Sequence, residues 1–323
     1  ETMRLGFAVK VLGRADLKSH DTRRWQSSPH LSVSLQYLRE ILLYLREVGI
    51  GMYRMSSDLA PYLTHPDLPQ FHGQLEECRA ELAAVGALAR EYGIRLSVHP
   101  GPYVVLNSTD EEVARKARVD VSAQARLLDL MGLGPEAVVV VHGGSGTGGM
   151  PAAADRFVRS FRELPPAVQD RVTLENDEAV FSVPDVLRVH EQTGVKVVFD
   201  LLHFHNHNPA RLSPAEAVRA ALETWPARIT PKIHLSSPRT EMRIEQRKDP
   251  ASGRRMPVVR PPQWTQHSDF ANPFEAIGFL RECLAAGLRP FDIMLEVKSK
   301  DAGLLRLRED LARFAPELAE VWQ

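Results

Sequence analysis

Cysteine is nearly absent from the 323 residues: only Cys78 and Cys283 occur, each inside an apolar, helix-like pattern. That excludes a disulfide framework and a thiolate zinc site, and it points to reduced core thiols in a reducing compartment. Long apolar runs are missing as well. None approaches the roughly 20 residues of a membrane span. The first residues lack the charged-then-apolar signature of a signal peptide, so a cytoplasmic chain with no membrane partner is expected. Nor is there an excess of one charge, because 40 Lys and Arg stand against 41 Asp and Glu, a net of −1. Any nucleic acid must then be held by a local basic surface. No obligatory protein partner is indicated. The nucleotide fingerprints are missing too. No strand leads into a GxGxxG that opens a helix, and the GGSGTGG of residues 143–149 lacks the GK[ST] of a phosphate loop. That run reads as a flexible loop.

What is present is a repeated alternation. Short β-branched or apolar runs at residues 4–9, 51–56, 95–99, 137–142, 171–175, from 196, 232–235 and 293–296 read as strands. Between and after them, residues 31–48, 74–92, 109–131, 152–164, 183–193, 213–224, 272–286 and 301–314 carry helical spacing. Thr109 is the expected N-cap of the third helix, and Pro214 suits the first turn of the sixth. Eight strand–helix units without a compositional break predict one (β/α)8 TIM barrel over residues 1–323; an open doubly wound sheet is the alternative. Residues 238–266 break the rhythm and read as a long Pro- and Arg-rich loop without periodicity.

In such a barrel the C-terminal strand ends share one rim, where active sites are built. The stretch KVVFDLLHFHNH (196–207) delivers Asp200, His203, His205 and His207 across an expected strand-to-loop bend. Other strand ends carry His99, His142, Glu175 and Glu296, with His234 inside strand seven; loops add His65 and His267. One such residue is ordinarily a hydrogen-bonded structural group. Six successive strands ending in His, Asp or Glu would leave like charges uncompensated in a dry site unless cations are bound. Imidazole with carboxylate and no thiolate suits Zn²⁺, Mn²⁺ or Fe²⁺, and the number of candidates implies two or three ions. Clustered divalent ions suit phosphoryl chemistry, although a sugar isomerase or epimerase uses related sites. The segment with Arg239, Arg243, Arg247, Lys248, Arg254, Arg255 and Arg260, closed by Trp264, adds a basic, aromatic-tipped grip for a nucleic-acid backbone. Its plain reading is a solvated loop.

HPGPY at 99–103, LEND at 174–177, FDLLHFH at 199–205, KIHLSS at 232–237, HSDF at 267–270 and MLEVKSKD at 294–301 together resemble the UV damage endonucleases, TIM-barrel enzymes related to endonuclease IV. The resemblance implies metal-dependent cutting of damaged duplex DNA immediately 5′ of cyclobutane dimers and 6-4 photoproducts, with manganese the expected metal and excision repair the expected process. An abasic-site endonuclease of the endonuclease IV type is the nearest alternative. Glu175 is then implied as a carboxylate bridging two ions, one completed by His99 and His142 and the other by Asp200, His234 and Glu296. His203 and His267 would hold a third, with Asp269 nearby, and His65 is a further expected ligand. Lys232 matches a position that the family can carry as a carboxylated lysine, and Glu175, Lys232 and Glu296 are the expected catalytic residues. The chain departs from the family at the lesion probes. Pro102-Tyr103 stands where Gln-Tyr is frequent, and Phe7 where Tyr is frequent, so the lesion range rather than the hydrolysis is altered. Tyr103 remains able to wedge into a duplex.

Overall fold

The computed structural model describes residues 2–323. Eight parallel strands form the barrel: β1 (Leu5–Ala8), β2 (Met52–Met55), β3 (Arg95–Val98), β4 (Val139–His142), β5 (Val172–Glu175), β6 (Lys196–Val198), β7 (Lys232–Leu235) and, after two further strands, β10 (Asp292–Leu295). Their order is β6-β5-β4-β3-β2-β1-β10-β7. The remaining gap between β6 and β7 is bridged by the pair Asp200–His234, whose His234 amide donates to the Phe199 carbonyl at 2.8 Å. The predicted barrel is therefore the observed fold. Helices surround it, and none is long and apolar enough among the described residues to cross a membrane.

Strand alternation sorts the residues into two cores. Phe7, Tyr53, Leu96, Val98 and Val141 face the helices and join the large outer core, whereas Ala8, Met52 and Met294 pack separately inside the barrel. The lumen is unusually polar. Arg95 pairs with Asp292 at 3.0 Å, both almost wholly buried, and Lys232 Nζ donates to Ser97 Oγ at 2.9 Å one layer higher.

Several local expectations change. The helix expected over 74–92 is broken at Cys78 into Gln74–Glu77 and Arg79–Glu91. Asp110 rather than Thr109 caps Glu111–Leu130, accepting from the Glu112 amide at 2.9 Å; a carboxylate at this end also favours the helix dipole. The expected bend after β6 is a six-residue helix, Leu201–Asn206. The loop expected over 238–266 contains an antiparallel hairpin, β8 (Arg243–Lys248) and β9 (Arg255–Arg260). Its charged strands lack alternating hydrophobicity, so pairing rather than burial defines it. The glycine run of 143–149 is anchored: Asn107 Oδ1 accepts from the Ser145 amide at 2.7 Å and Asn107 Nδ2 donates to the Ser145 carbonyl.

Candidate metal centre

Inward-facing positions at the strand ends converge on Glu175, which ends β5 and is 1% exposed. Its Oε2 lies 3.1 Å from His99 Nε2 and 3.2 Å from His142 Nε2, and the two imidazole nitrogens are 3.2 Å apart. Its Oε1 lies 2.9 Å from His234 Nδ1, which is also 3.8 Å from Asp200 Oδ2 and 3.3 Å from Glu296 Oε1. The result is two ligand groups, His99–His142–Glu175 and Glu175–Asp200–His234–Glu296, each with ligand atoms mutually within 4.8 Å. Each oxygen of Glu175 serves a different group.

The electrostatics call for added positive charge. Burial drives the Asp200 carboxyl well above its usual pKa, and the Glu175 and Glu296 charges add to this against the opposing pull of His203. Asp200 Oδ2 is buried without a hydrogen-bond partner among the described residues, an orphan that a cation in the second group would satisfy. Burial also opposes ionisation of Glu175, yet the facing His234 and His142 rings outweigh it and hold the carboxyl well below its usual range. Burial lowers the His234 pKa to about 4 despite the nearby carboxylates. His234 Nε2 lies 3.0 Å from Arg54 Nη2. The donors therefore fit divalent ions of borderline hardness.

The surrounding residues hold these groups in place. Asn176, in the LEND run, accepts from the Asp200 amide at 2.8 Å and donates to the Asp200 carbonyl at 3.1 Å. Asp200 then caps the short helix by accepting from the His203 amide at 2.8 Å. Sequence reasoning missed Arg54, whose Nη2 also donates to Glu296 Oε1 at 2.5 Å. The available signal was a lone arginine in the otherwise apolar strand MYRM.

The remaining expected residues divide. His203 Nδ1 contacts the Asn176 carbonyl at 2.8 Å and lies 3.4 Å from Glu175 Oε1. Burial lowers its pKa, but Asp200 and Glu175 prevail and raise it to about 9. His267 Nδ1 bonds Ser236 Oγ at 2.7 Å, and its Nε2 is 4.0 Å from Glu296 Oε2. Neither histidine belongs to the two ligand groups. Lys232 is fully buried beneath the cluster, and burial, with Arg54 and Arg95 nearby, pulls its pKa well below the usual lysine range.

His65 is not brought to the cluster. It is exposed, its Nδ1 accepts from the Asp67 amide at 3.2 Å, and it lines a separate cavity of about 810 Å³. Phe7 is also displaced from its expected role at DNA: it is wholly buried, edge-on to Tyr53 with centroids 5.4 Å apart, because it faces the helix layer. Tyr103, by contrast, is 69% exposed, with Pro102 exposed beside it and Trp264 exposed on the basic segment.

The model of the UV-endonuclease UvdE family matches residues 17–321. A UV DNA damage endonuclease of Bacillus velezensis is 32% identical over 267 residues, 82% of this chain and 76% of that protein. The crystal structure of SacUVDE superposes with a TM-score of 0.79 at 30% identity, covering 98% of this chain and 99% of that one. A D-psicose 3-epimerase from Clostridium cellulolyticum H10 reaches a TM-score of 0.57 over 98% of this chain and all of its own, but at 13% identity. That second likeness shows the barrel alone. With the match spanning nearly the whole sequence, the chain belongs to the UV-endonuclease UvdE family.

Proposed function

We propose that the chain hydrolyses the DNA phosphodiester immediately 5′ of UV photoproducts, cyclobutane dimers and 6-4 photoproducts among them, leaving a 3′-hydroxyl and a 5′-phosphate. The observation that carries this reading is the divided Glu175 carboxylate, one oxygen directed to each ligand group. His99, His142 and Glu175 would hold one divalent ion, and Glu175, Asp200, His234 and Glu296 a second. We assign Mn²⁺, which the donor set accepts and the family resemblance implies. Bound there, the ions would supply Lewis-acid chemistry suited to activating water and neutralising phosphate charge.

The chain's own residues do the rest. His203 and His267 flank the second group and would donate to oxygens of the scissile phosphate or help hold a further ion with Asp269. Lys232, its pKa pulled well below the usual lysine range by burial, is suited to carboxylation, which would add a negative charge beneath the ions. Tyr103 stands free to wedge into a duplex whose pairing the lesion has weakened. Pro102 beside it offers bulk without the amide of the more frequent Gln. The buried free thiols, raised by burial to about 11 for Cys78 and about 12 for Cys283, suit a reducing cytoplasm.

Nicking of UV-irradiated supercoiled plasmid, compared with untreated plasmid in Mn²⁺, tests the reading. Only irradiated plasmid should be nicked. Glu175→Ala should slow nicking by about a hundredfold or more, beyond the usual loss from a residue that only supports ligands. Parental rates in that variant would refute the shared-carboxylate reading.

A further inference from the structure

We propose that the β8–β9 hairpin is a two-stranded ribbon that enters the major groove of duplex DNA beside the cut, leading with the face of Ile244, Lys248, Arg255 and Val259. The inference rests on the DNA-cutting reading above and adds the groove, the element and the face.

The hairpin is rooted at the candidate centre. Pro238 bridges His267, the Arg239 amide donates to the Gln266 carbonyl at 2.8 Å, and the Ser268 amide donates to the Ser237 carbonyl at 2.9 Å. Whatever the ribbon touches is therefore continuous with the strand-end rim. From this root each six-residue strand reaches about 20 Å. The major groove, about 12 Å wide and 8.5 Å deep, admits a two-stranded ribbon.

The pairing Ile244–Val259, Gln246–Pro257 and Lys248–Arg255 puts these six residues on one face. The opposite face carries Arg243, Glu245 and Arg247 with Arg260, Val258 and Met256. On that opposite face Glu245 and Arg260 are half-buried and paired with each other at 3.0 Å, while Met256 is 52% exposed. The first face is open, with Ile244 63% and Val259 60% exposed. It has two cations, Lys248 and Arg255, and no carboxylate. Over 239–260 the seven Arg and Lys against Glu241, Glu245 and Asp249 give +4, on a chain whose total is −1. A polyanion matches this concentration of charge, whereas a second copy of the hairpin would be repelled. Ile244 and Val259, left in water here, are suited to thymine methyl groups, which project into the major groove. Lys248 and Arg255 would reach the phosphates along its walls.

The test is dimethyl sulfate protection of guanine N7, a major-groove atom, on a duplex with one photoproduct, bound without divalent ions so that incision is not required. Wild-type protein should protect guanines flanking the lesion. Ile244→Ser/Val259→Ser should remove that protection. Lys248→Ala/Arg255→Ala should weaken binding about tenfold and reduce the slope of log affinity against log salt by about two. Arg281→Ala, outside the hairpin and paired with Glu317, should leave the protection in place. A variant with a short linker replacing residues 242–260 gives the same readings should the point variants misfold. N7 atoms unprotected in the wild-type complex, protection that survives loss of the open face, or a protein dimer that these variants dissolve would each overturn the proposal. If wild-type protein protects N7 but nicks nothing, the ribbon stands and the cutting reading falls. If it nicks without protection, the reverse holds.

Discussion

Single residues show most clearly where burial overrides residue type. Sequence reasoning found the cluster from histidines and carboxylates at strand ends, because barrel geometry forces those positions onto one rim. It misplaced His65 and Phe7, since neither a loop's turn geometry nor the facing of a four-residue strand is readable from local composition. Arg54 was overlooked because a single charge in a strand ordinarily signals an edge. Asp120, near the cavity beside Tyr103, offers a test of such hidden costs. Burial raises its carboxyl from 3.8 to about 6, helped by Asp58 and opposed by the Thr64 hydroxyl that donates to it at 3.2 Å. The folded state therefore favours the protonated acid. Stability from this group is fully present below pH 4 and is lost as pH rises through 6. Asp120→Asn, which can still accept from Thr64, should raise stability by about 1–3 kcal/mol at pH 7–8 and change little at pH 4. Thermal melts at both pH values measure this, and equal shifts would refute it.

At the scale of elements, the strands were legible because runs such as Val139–Val141 are apolar throughout, and the long helices because their period is sustained. Helix 183–193 carries both signals at its ends: a capping box at Ser182 and Asp185, and Gly194 with φ 75°. The short helix after β6 was not legible. Six residues are too few to display a period, and it persists because Asp200 caps it and its apolar side chains are buried. Helix-to-helix fit is also invisible in sequence. Gly86, in Arg79–Glu91, is packed so tightly on the Met131 carbonyl that an added Cβ would overlap it. Gly86→Ala should therefore destabilise the protein by about 3 kcal/mol, although alanine is the better helix former. Denaturant titration checks the sign; a stabilised variant would mean that the two helices separate freely.

For the whole molecule, near-neutral charge and a localised basic hairpin divide the labour. Bulk electrostatics give little attraction to undamaged DNA, and under the proposed reading grip would come from one side of the rim. The carboxylates Glu175 and Asp200, both buried, and Glu296, partly buried, gather negative charge that a bound cation would compensate. Adding Mn²⁺ at a hundred times its dissociation constant should stabilise the protein by about 2.7 kcal/mol. Chelation should remove the gain, and Glu175→Ala should abolish most of it. Thermal melts with and without chelator measure the effect, and a metal-independent midpoint would contradict the assignment.

The Asp200–His234 bridge gives this dependence a mechanical side. The seam between β6 and β7 is stitched by a single bridge, and the two residues that span it also supply two of the four groups around the same point. Closing the cylinder and assembling the ligand set are thus one event. An ion held there would act as a clasp on the staves, and its departure would loosen the wall at the proposed seat of the DNA.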